Sequence, residues 1–204
     1  MSDSATTHWD TVYTTKAIDS VGWFQRSPDT SLRLVTAYGQ PSSSVIDVGA
    51  GASSLADELL NLGWSDVTVL DVSSEALAIV SARLEGHGGP VSFVVANLLS
   101  WQPQRRYDLW HDRAVFHFLV DDADRQRYID TSARAVKPGG VLVLGTFADD
   151  GPTQCSGLPT RRYDADGLAD QFGTAFDLVA SERQEHQTPG GFVQPFTWVV
   201  LRRR

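Results

Sequence analysis

Two glycines and two aspartates form the first group in this sequence whose types and spacing could do chemistry. Gly49 and Gly51 follow the apolar segment Val45–Val48, so they predict a tight turn where the backbone comes close to a ligand. Asp47 lies just before Gly49. A carboxylate at this place would repel a pyrophosphate but attract a cationic ligand. Asp71 ends the next apolar segment, about 20 residues further on, where an acidic residue accepts hydrogen bonds from ribose hydroxyls.

The glycine turn alone is compatible with two classes of cofactor. A dinucleotide-binding turn has Gly or Ala three positions after its second glycine, whereas Ser54 stands there in this chain. Together with Asp47, this departure favours a ligand that carries positive charge and no phosphate. S-adenosylmethionine fits that description, because it has a sulfonium group and an ammonium group.

Further polar positions follow the later apolar segments. Asn97 and Leu98 come directly after Val91–Val95. The Asn97 side chain, with the Leu98 backbone N–H beside it, can bind the edge of an adenine ring. His111 follows the next apolar segment, Tyr107–Trp110. These positions are therefore candidates for the same ligand site.

From residue 45 onward, short apolar runs alternate with longer amphipathic stretches, which is typical of strand-helix-strand units around a parallel sheet. We predict an α/β fold with a mostly parallel seven-stranded sheet and helices on both faces. The predicted strands are 45–48, 67–70, 91–95, 107–110, 141–147, 176–182 and 196–201. The predicted helices are 53–62, 73–84, 124–136 and 166–172, with a turn at 137–140. Ligands of such sheets bind beyond the carboxyl ends of the strands, where the polar residues above stand.

Length and composition indicate one compact domain, with an N-terminal segment at 1–44 and a core at 45–204. The net charge of −8 argues against a general affinity for nucleic acid. Cys155 is the one cysteine, so neither an internal disulfide nor a zinc site built from several cysteines is expected. No apolar run has the length of a membrane span, and the N-terminus lacks the features of a secretory signal. We therefore expect a cytoplasmic monomer or homodimer without a metal, membrane or nucleic-acid partner.

Five segments together resemble the class I S-adenosylmethionine-dependent methyltransferases over nearly the whole chain. They are Val45–Gly51, Val69–Val72, Val95–Leu98, Tyr107–His111 and Val136–Val143. The resemblance implies a Rossmann-like fold and cofactor contacts from Asp47, Gly49, Gly51, Asp71, Val72, Asn97, Leu98 and His111. Two positions depart from the family, which usually has Asp in place of Asn97 and Cys or Gly in place of Ala50. Both replacements are compatible with the contacts that the resemblance implies.

The N-terminal segment resembles the lid of one methyltransferase subgroup. The segment 8–13 (His-Trp-Asp-Thr-Val-Tyr), with 21–24 (Val-Gly-Trp-Phe) after it, carries this likeness. The subgroup includes enzymes that methylate lysines of elongation factor and citrate synthase. The resemblance implies a helical lid over the cofactor, in which Trp9, Tyr13 and Trp23 line the site. Aromatic faces also attract a sulfonium cation. A plain hydrophobic clamp is the alternative for the same three rings.

The segment Trp110–Ala114 is similar to the same stretch in thiopurine methyltransferase and to an Asp-Lys-Gly segment in the lysine methyltransferases. The resemblance places Asp112 and Arg113 beside the reacting methyl group. Asp112 is either a helix cap or a base, and Arg113 either pairs with Asp112 or grips an anionic substrate. His117 follows Arg113 by four positions, which predicts one shared helical face. It is either the general base or a buried structural histidine.

These features predict a methyltransferase that acts on a small-molecule nucleophile, for example a thiol or another soft heteroatom. The alternatives are a protein lysine methyltransferase, a non-catalytic S-adenosylmethionine-binding protein and, least in keeping with Asp47, a nicotinamide dehydrogenase. Thiols and lysines are largely protonated at neutral pH, so either acceptor would call for a base. We expect the loop 149–162 to lie over the acceptor pocket, with a methylated Cys155 as a minor alternative.

Overall fold

The computed structural model describes residues 2–86 and 91–204. Its helices are α1 (Ser2–Thr15), α2 (Asp29–Tyr38), α3 (Leu55–Asn61), α4 (Ser74–Leu84), α5 (Asp122–Ala135) and α6 (Ala165–Phe172), with 3-10 turns at Ile18–Ser20 and Phe116–Phe118. Its strands are β1 (Val45–Val48), β2 (Val67–Asp71), β3 (Val91–Val95), β4 (Tyr107–Arg113), β5 (Val136–Phe147), β6 (Gln154–Cys155), β7 (Leu158–Pro159), β8 (Phe176–Gln187) and β9 (Val193–Arg203). None of the helices in the described ranges has the length and apolar character needed to span a membrane.

One seven-stranded sheet, in the order β3-β2-β1-β4-β5-β9-β8, forms the centre of the described chain. The strands from β3 to β5 pair in parallel, whereas β9 runs antiparallel to both β5 and β8. The predicted mostly parallel sheet is therefore confirmed, and so is the antiparallel pair at its end. The strand order reverses between β1 and β4. The chain leaves these two strands in opposite directions, which opens a crevice at the carboxyl ends of β1 and β4.

Apolar side chains cover both faces of the central strands, as a parallel sheet between helix layers requires. All four residues of β1 are buried. On one face, Trp110 packs with Tyr128 of α5, which in turn contacts Phe172 of α6. On the other face, Leu109 belongs to a cluster with Val35 of α2. Helices on both faces thus agree with the prediction.

The N-terminal segment divides into two parts. α2 belongs to the core layer, because its Leu34 and Val35 are buried against the sheet. α1 instead lies against α4, where the Ser73 hydroxyl donates to Asp10 Oδ1 at 2.6 Å. It is therefore mainly the part before α2 that covers the carboxyl ends of the strands.

Several strands extend beyond their predicted bounds. β4 continues past Trp110 to Arg113, and β5 begins at Val136, so it includes the predicted turn at 137–140. A register shift and the positive φ of Gly139 mark this stretch as a bulge. β8 and β9 are also longer than predicted, because their polar outer residues pair with each other. Apolar runs locate the buried centre of a strand, whereas hydrogen bonding continues beyond it.

A buried chain of hydrogen bonds fastens β4 to α5. The Trp110 indole Nε1 donates to the Tyr128 hydroxyl at 2.9 Å, and that hydroxyl donates to Asp112 Oδ2 at 2.6 Å. All three side chains are 0% exposed. Burial raises the pKa of Asp112 to about 6, while the bond from Tyr128 acts in the opposite direction. Because a buried polar atom without a partner is unfavourable, the three residues hold one another in place.

We predict that Tyr128→Phe lowers the free energy of unfolding by about 1–3 kcal/mol, because it leaves Trp110 Nε1 and Asp112 Oδ2 without their shared partner. Urea titration followed by tryptophan fluorescence measures the change. Tyr107→Phe is the matched control, because it also removes a buried tyrosine hydroxyl, but from β4 and outside this network. Equal losses for the two variants would contradict the assigned role of the network.

Candidate active site

A cavity of about 640 Å³ opens at the carboxyl ends of β1, β2 and β4. Small-molecule sites typically measure about 300–1,000 Å³. The residues that follow the strands form its floor, and α1 with the segment 18–28 forms its roof. The cavity brings together eleven of the residues that the sequence singles out, namely Trp9, Tyr13, Trp23, Asp47, Gly49, Asp71, Val72, Asn97, Leu98, His111 and Arg113. Gly51, Asp112 and His117 are not among the lining residues.

The turn after β1 requires glycine at two positions. Gly49 and Gly51 have φ angles of +58° and +56°, in the left-handed region that other residues rarely adopt. A Cβ atom on Gly49 would fall 2.0 Å from Val115 Cγ2, and one on Gly51 would fall 2.1 Å from the Tyr13 hydroxyl oxygen. The backbone of the turn therefore lies directly beneath the roof. A cradle of bare backbone at this point fits the close approach that the sequence predicts.

Asp71 joins the glycine turn to the end of β2. Its Oδ2 accepts from the Gly51 N–H and its Oδ1 from the Ser73 N–H, both at 2.8 Å. Each carboxylate oxygen has a second acceptor site, so two hydroxyl groups of a ligand can still be bound. Burial raises the pKa of Asp71 to about 6, against the effect of the two backbone bonds. With Val72 beside it in the cavity wall, this carboxylate suits a ribose.

The far end of the cavity is formed by residues that follow β3. Asn97 Oδ1 accepts from the Leu99 N–H at 3.0 Å, which fixes the side chain in its own turn. The Asn97 amide group then remains a donor toward the cavity. Leu98 and Leu99 add apolar wall. A flat, mostly apolar ring with acceptor atoms on its edge, such as adenine, suits these surroundings.

Asp47 and His111 form a buried pair side by side on β1 and β4. The two residues are directly opposite in the sheet register, and His111 Nδ1 lies 2.7 Å from Asp47 Oδ1. The His111 ring also packs against Trp198, with ring centroids 6.0 Å apart. His111 therefore positions the Asp47 carboxylate and lines the cavity beside it. The negative charge that the sequence predicts near a cationic ligand lies at the floor.

The roof is a cluster of aromatic rings. The Trp9 ring lies 5.6 Å from Trp23, 5.5 Å from Phe118 and 6.4 Å from Tyr13, measured between centroids. Burial and the nearby Asp71 raise the pKa of Tyr13 well above its ordinary value, so the phenol stays protonated. The rings of Trp9, Tyr13 and Trp23 thus pack on one another, as a hydrophobic clamp would, and they also line the cavity, as a lid would.

Asp112 and Arg113 do not form a pair. They are neighbours on a strand, so their side chains point to opposite faces of the sheet. Asp112 points into the core, where Oδ1 accepts from the Val115 N–H at 2.9 Å and Oδ2 accepts from Tyr128. The bond to Val115 lies just before the 3-10 turn Phe116–Phe118, whose N-cap is Val115 itself, so Asp112 supports the approach to this turn without capping it. Since Asp112 does not line the cavity, the structure does not bring it to a reacting group.

Arg113 points to the other face and lines the cavity. Its Nη1 donates to the Trp23 carbonyl at 3.0 Å, and its Cζ lies 5.0 Å from the centroid of the Phe196 ring. Nε and Nη2 are buried and have no hydrogen-bond partner among the described residues. Burial lowers the pKa of Arg113 to about 10, which still leaves it charged at neutral pH. Of the two roles open from the sequence, pairing with Asp112 is excluded.

His117 lies in the core, outside the cavity lining. Its side chain is 0% exposed, and its ring is 4.5 Å from the rings of both Phe118 and Phe147. Burial, with the charge of Arg113, lowers its pKa to about 3. The predicted helical face shared with Arg113 does not exist, because Arg113 belongs to β4. The geometry therefore favours the structural interpretation of His117.

The segment 149–162, which the sequence predicts as a loop over the acceptor pocket, contains a small hairpin after β5. β6 and β7 pair across Ser156 and Gly157, both with positive φ, as in a two-residue hairpin turn. This turn presents Cys155 to the cavity, beside Leu158. Burial raises the pKa of Cys155 to about 11, so the thiol is protonated at neutral pH. In the sequence, the dipeptide Ser156-Gly157 is the feature that indicates this turn, because Ser-Gly pairs are frequent in turns.

Comparison with known proteins agrees with this geometry. Residues 45–140 match the model of a family described as a methyltransferase domain. The malonyl-[acyl-carrier protein] O-methyltransferase 2 of Ilyobacter polytropus is 24% identical over 136 residues, which are 66% of this chain and 51% of that protein. The human EEF1A lysine methyltransferase 2 is 23% identical over 188 residues, which are 84% of this chain and 74% of that protein.

A solved structure shares the fold over almost the whole chain. It is the 1,6-didemethyltoxoflavin-N1-methyltransferase of Burkholderia thailandensis, with bound 1,6-didemethyltoxoflavin and S-adenosylhomocysteine. The TM-score is 0.71 at 21% sequence identity, and the match covers 98% of this chain and 84% of that chain. The chain spans about half the length of the Ilyobacter protein. These comparisons confirm the Rossmann-like methyltransferase fold.

We predict that Gly51→Ala weakens the binding of S-adenosylhomocysteine at least about tenfold, because the new Cβ would displace the Tyr13 hydroxyl and with it the roof. Isothermal titration calorimetry measures the affinity. Gly63→Ala is the matched control, because Gly63 has φ +83° and open space around its Cβ position. Both variants carry backbone strain, but only Gly51→Ala should lose affinity. An equal effect on binding would mean that the contact with Tyr13 is unimportant.

The raised pKa of Asp71 predicts a pH-dependent affinity. On the predicted ribose contact, the ionised carboxylate is the form that accepts the hydrogen bonds, so binding should weaken as the pH falls through the pKa of about 6. We expect the affinity for S-adenosylhomocysteine to fall about fourfold between pH 7.5 and pH 5.5 from this group alone. Asp71→Asn should bind more weakly throughout and lose this dependence. A wild-type affinity that stays constant over this range would contradict the assignment.

Proposed function

We propose that this chain is a class I S-adenosylmethionine-dependent methyltransferase and that it transfers the methyl group to a small-molecule nucleophile such as a thiol. The match of residues 45–140 to a methyltransferase-domain model and the shared fold support this proposal. One observation carries this proposal. The glycine turn, Asp47 and Asp71 converge on one roofed cavity of about 640 Å³, which is large enough for the cofactor and a small acceptor.

The residues of the cavity suit distinct parts of the cofactor. Asp71 would accept from the ribose hydroxyls, with Val72, Asn97 and Leu98 around the adenine. Asp47, held by His111, would face the positively charged end. When bound, S-adenosylmethionine supplies a methyl group on a sulfonium sulfur. The roof residues, grouped around Trp9, exclude water from that region, and they place an aromatic surface beside it.

The acceptor side favours a nucleophile that needs little help from a base. Asp112 and His117, the two candidates for a base, lie in the core and have structural contacts there. A small fraction of a thiol is already thiolate at neutral pH, and the thiolate is a strong nucleophile. A lysine amine has a pKa near 10.4 and is almost wholly protonated. Alignment in a dry cavity is then the main contribution of Arg113 and the aromatic walls.

A protein lysine methyltransferase is the second candidate. The likeness to human EEF1A lysine methyltransferase 2 supports it, because it covers 84% of this chain and therefore includes the N-terminal region. The name of that protein states a lysine acceptor on a protein. Against it stands the charge of Arg113, which faces the cavity and disfavours an incoming ammonium group.

Incubation with methyl-labelled S-adenosylmethionine and a desalted cell extract, supplemented with small-molecule thiols, amines and carboxylates, tests the proposal. We expect the label in the small-molecule fraction. Label in the protein fraction would favour the lysine methyltransferase. Calorimetry with S-adenosylhomocysteine and with NAD is run beside it.

Binding of S-adenosylhomocysteine without label transfer to any molecule would favour a non-catalytic cofactor-binding protein. Binding of NAD in place of S-adenosylhomocysteine would overturn the methyltransferase proposal. Asp71→Asn serves as the control for the labelling experiment, because it removes a predicted cofactor contact and leaves the acceptor side of the cavity intact.

A further inference from the structure

Arg113 differs from the other cavity residues because only one of its three side-chain nitrogens donates a hydrogen bond. A guanidinium group has five N–H donors in a planar fork. One nitrogen, Nη1, donates to the Trp23 carbonyl. The other two, Nε and Nη2, are buried without a partner among residues 2–86 and 91–204. No ion pair joins Arg113 to a carboxylate in this part of the chain.

The two unpartnered nitrogens lie on the same edge of the guanidinium plane. Parallel N–H groups on such an edge match the two oxygens of a carboxylate, and this paired geometry is a strong and specific mode of recognition. The Phe196 ring supports the group from one side, and the bond to Trp23 fixes its orientation. The fork is thus built and held before a ligand arrives.

Position in the sheet separates this fork from the cofactor end. Asn97 follows β3, and Asp71 is the last residue of β2. Both strands lie on one side of the central strand β1. Arg113 ends β4, on the opposite side of β1 and next to β5. Cys155, in the hairpin after β5, lines the same cavity. The fork therefore lies toward the side where an acceptor would enter.

A second cation lies on this side. Burial raises the pKa of Cys155, whereas the charges of Arg113 and Lys16 both act to lower it, so both cations are near the thiol. Lys16 is exposed at the end of α1. This local positive charge contrasts with the net charge of −8 of the whole chain. The charge of Asp47 also acts on Arg113, but no carboxylate contacts its Nε and Nη2 among the described residues, so an anion is favoured over a cation at that edge.

We propose that the Nε and Nη2 edge of Arg113 holds a carboxylate group of the methyl acceptor. The inference rests on the proposed function and narrows its substrate class to small nucleophiles that also carry a carboxylate. The carboxylate anchors the acceptor, and the nucleophilic atom reaches toward the floor where Asp47 lies. The aromatic rings around Trp23 enclose the rest of the molecule.

A matched pair of probes tests the inference. 3-Mercaptobenzoate and 3-mercaptobenzamide differ in the carboxylate alone. With S-adenosylhomocysteine present, calorimetry should show the wild-type chain binding the benzoate at least about tenfold more tightly than the amide, the size expected for a charge-assisted pair. Arg113→Gln should remove this preference while the affinity for S-adenosylhomocysteine stays within about threefold. Arg113→Lys should keep part of the preference, since it retains the charge without the fork.

Arg105→Gln is the control for loss of a positive charge, because Arg105 pairs with Asp66 at the surface. This variant should leave the affinities for 3-mercaptobenzoate and for S-adenosylhomocysteine unchanged. A loss of S-adenosylhomocysteine affinity in Arg113→Gln as large as the loss of 3-mercaptobenzoate affinity would overturn the inference, because Arg113 would then act on the cofactor site, either directly or through its bond to Trp23 in the roof. Equal binding of the two probes by the wild type would overturn it as well. Failure to bind S-adenosylhomocysteine in the wild type would instead refute the proposed function.

Discussion

The carboxylate of Asp71 is the interaction on which the cavity depends. It ties the glycine turn after β1 to the first turn of α4, through the N–H groups of Gly51 and Ser73. Ser73 in turn caps α4 and bonds Asp10 of α1. The buried Asp71 carboxylate thus holds the glycine turn in the floor directly, and it holds α1 in the roof through Ser73. Burial raises its pKa to about 6 and so disfavours the charged form, but the backbone bonds partly offset this cost and the carboxylate stays mostly charged at neutral pH.

Alternation along β4 divides its residues between two tasks. Trp110 and Asp112 point into the core, where Tyr128 joins them. His111 and Arg113 point to the opposite face and line the cavity. The core pair holds the strand rigidly, because both side chains are buried and hydrogen-bonded. The cavity pair is therefore presented on a strand that the core pair anchors. A site on a strand end supported in this way is more precise than one on a free loop.

The fold could be predicted from the sequence in detail, because apolar runs and their flanking polar residues follow from burial. That Gly49, Gly51 and Asp71 meet at one end of the cavity could also be predicted, since their positions depend on backbone geometry and local spacing; their contact with a cofactor stays a prediction. The acceptor end could not be predicted in the same way. Assigning His117 to the face of Arg113 assumed a helix, whereas β4 continues to Arg113. One additional strand residue reverses the direction of a side chain, and periodicity does not locate strand ends to that accuracy.

The charges of the cavity are arranged in opposite senses along its length. Asp47 and Asp71 give the cofactor end negative charge, while Arg113 and Lys16 give the acceptor end positive charge. On the proposed function, Asp47 attracts the positively charged end of the cofactor and Asp71 binds its ribose, while Arg113 and Lys16 attract an anionic acceptor. Methyl transfer removes the positive charge from the sulfur, so the attraction by Asp47 weakens once the reaction is complete. The contact of Asp71 with the ribose does not change in the reaction, so the loss of the sulfonium charge weakens product binding only at the end of the cavity where the methyl group is transferred.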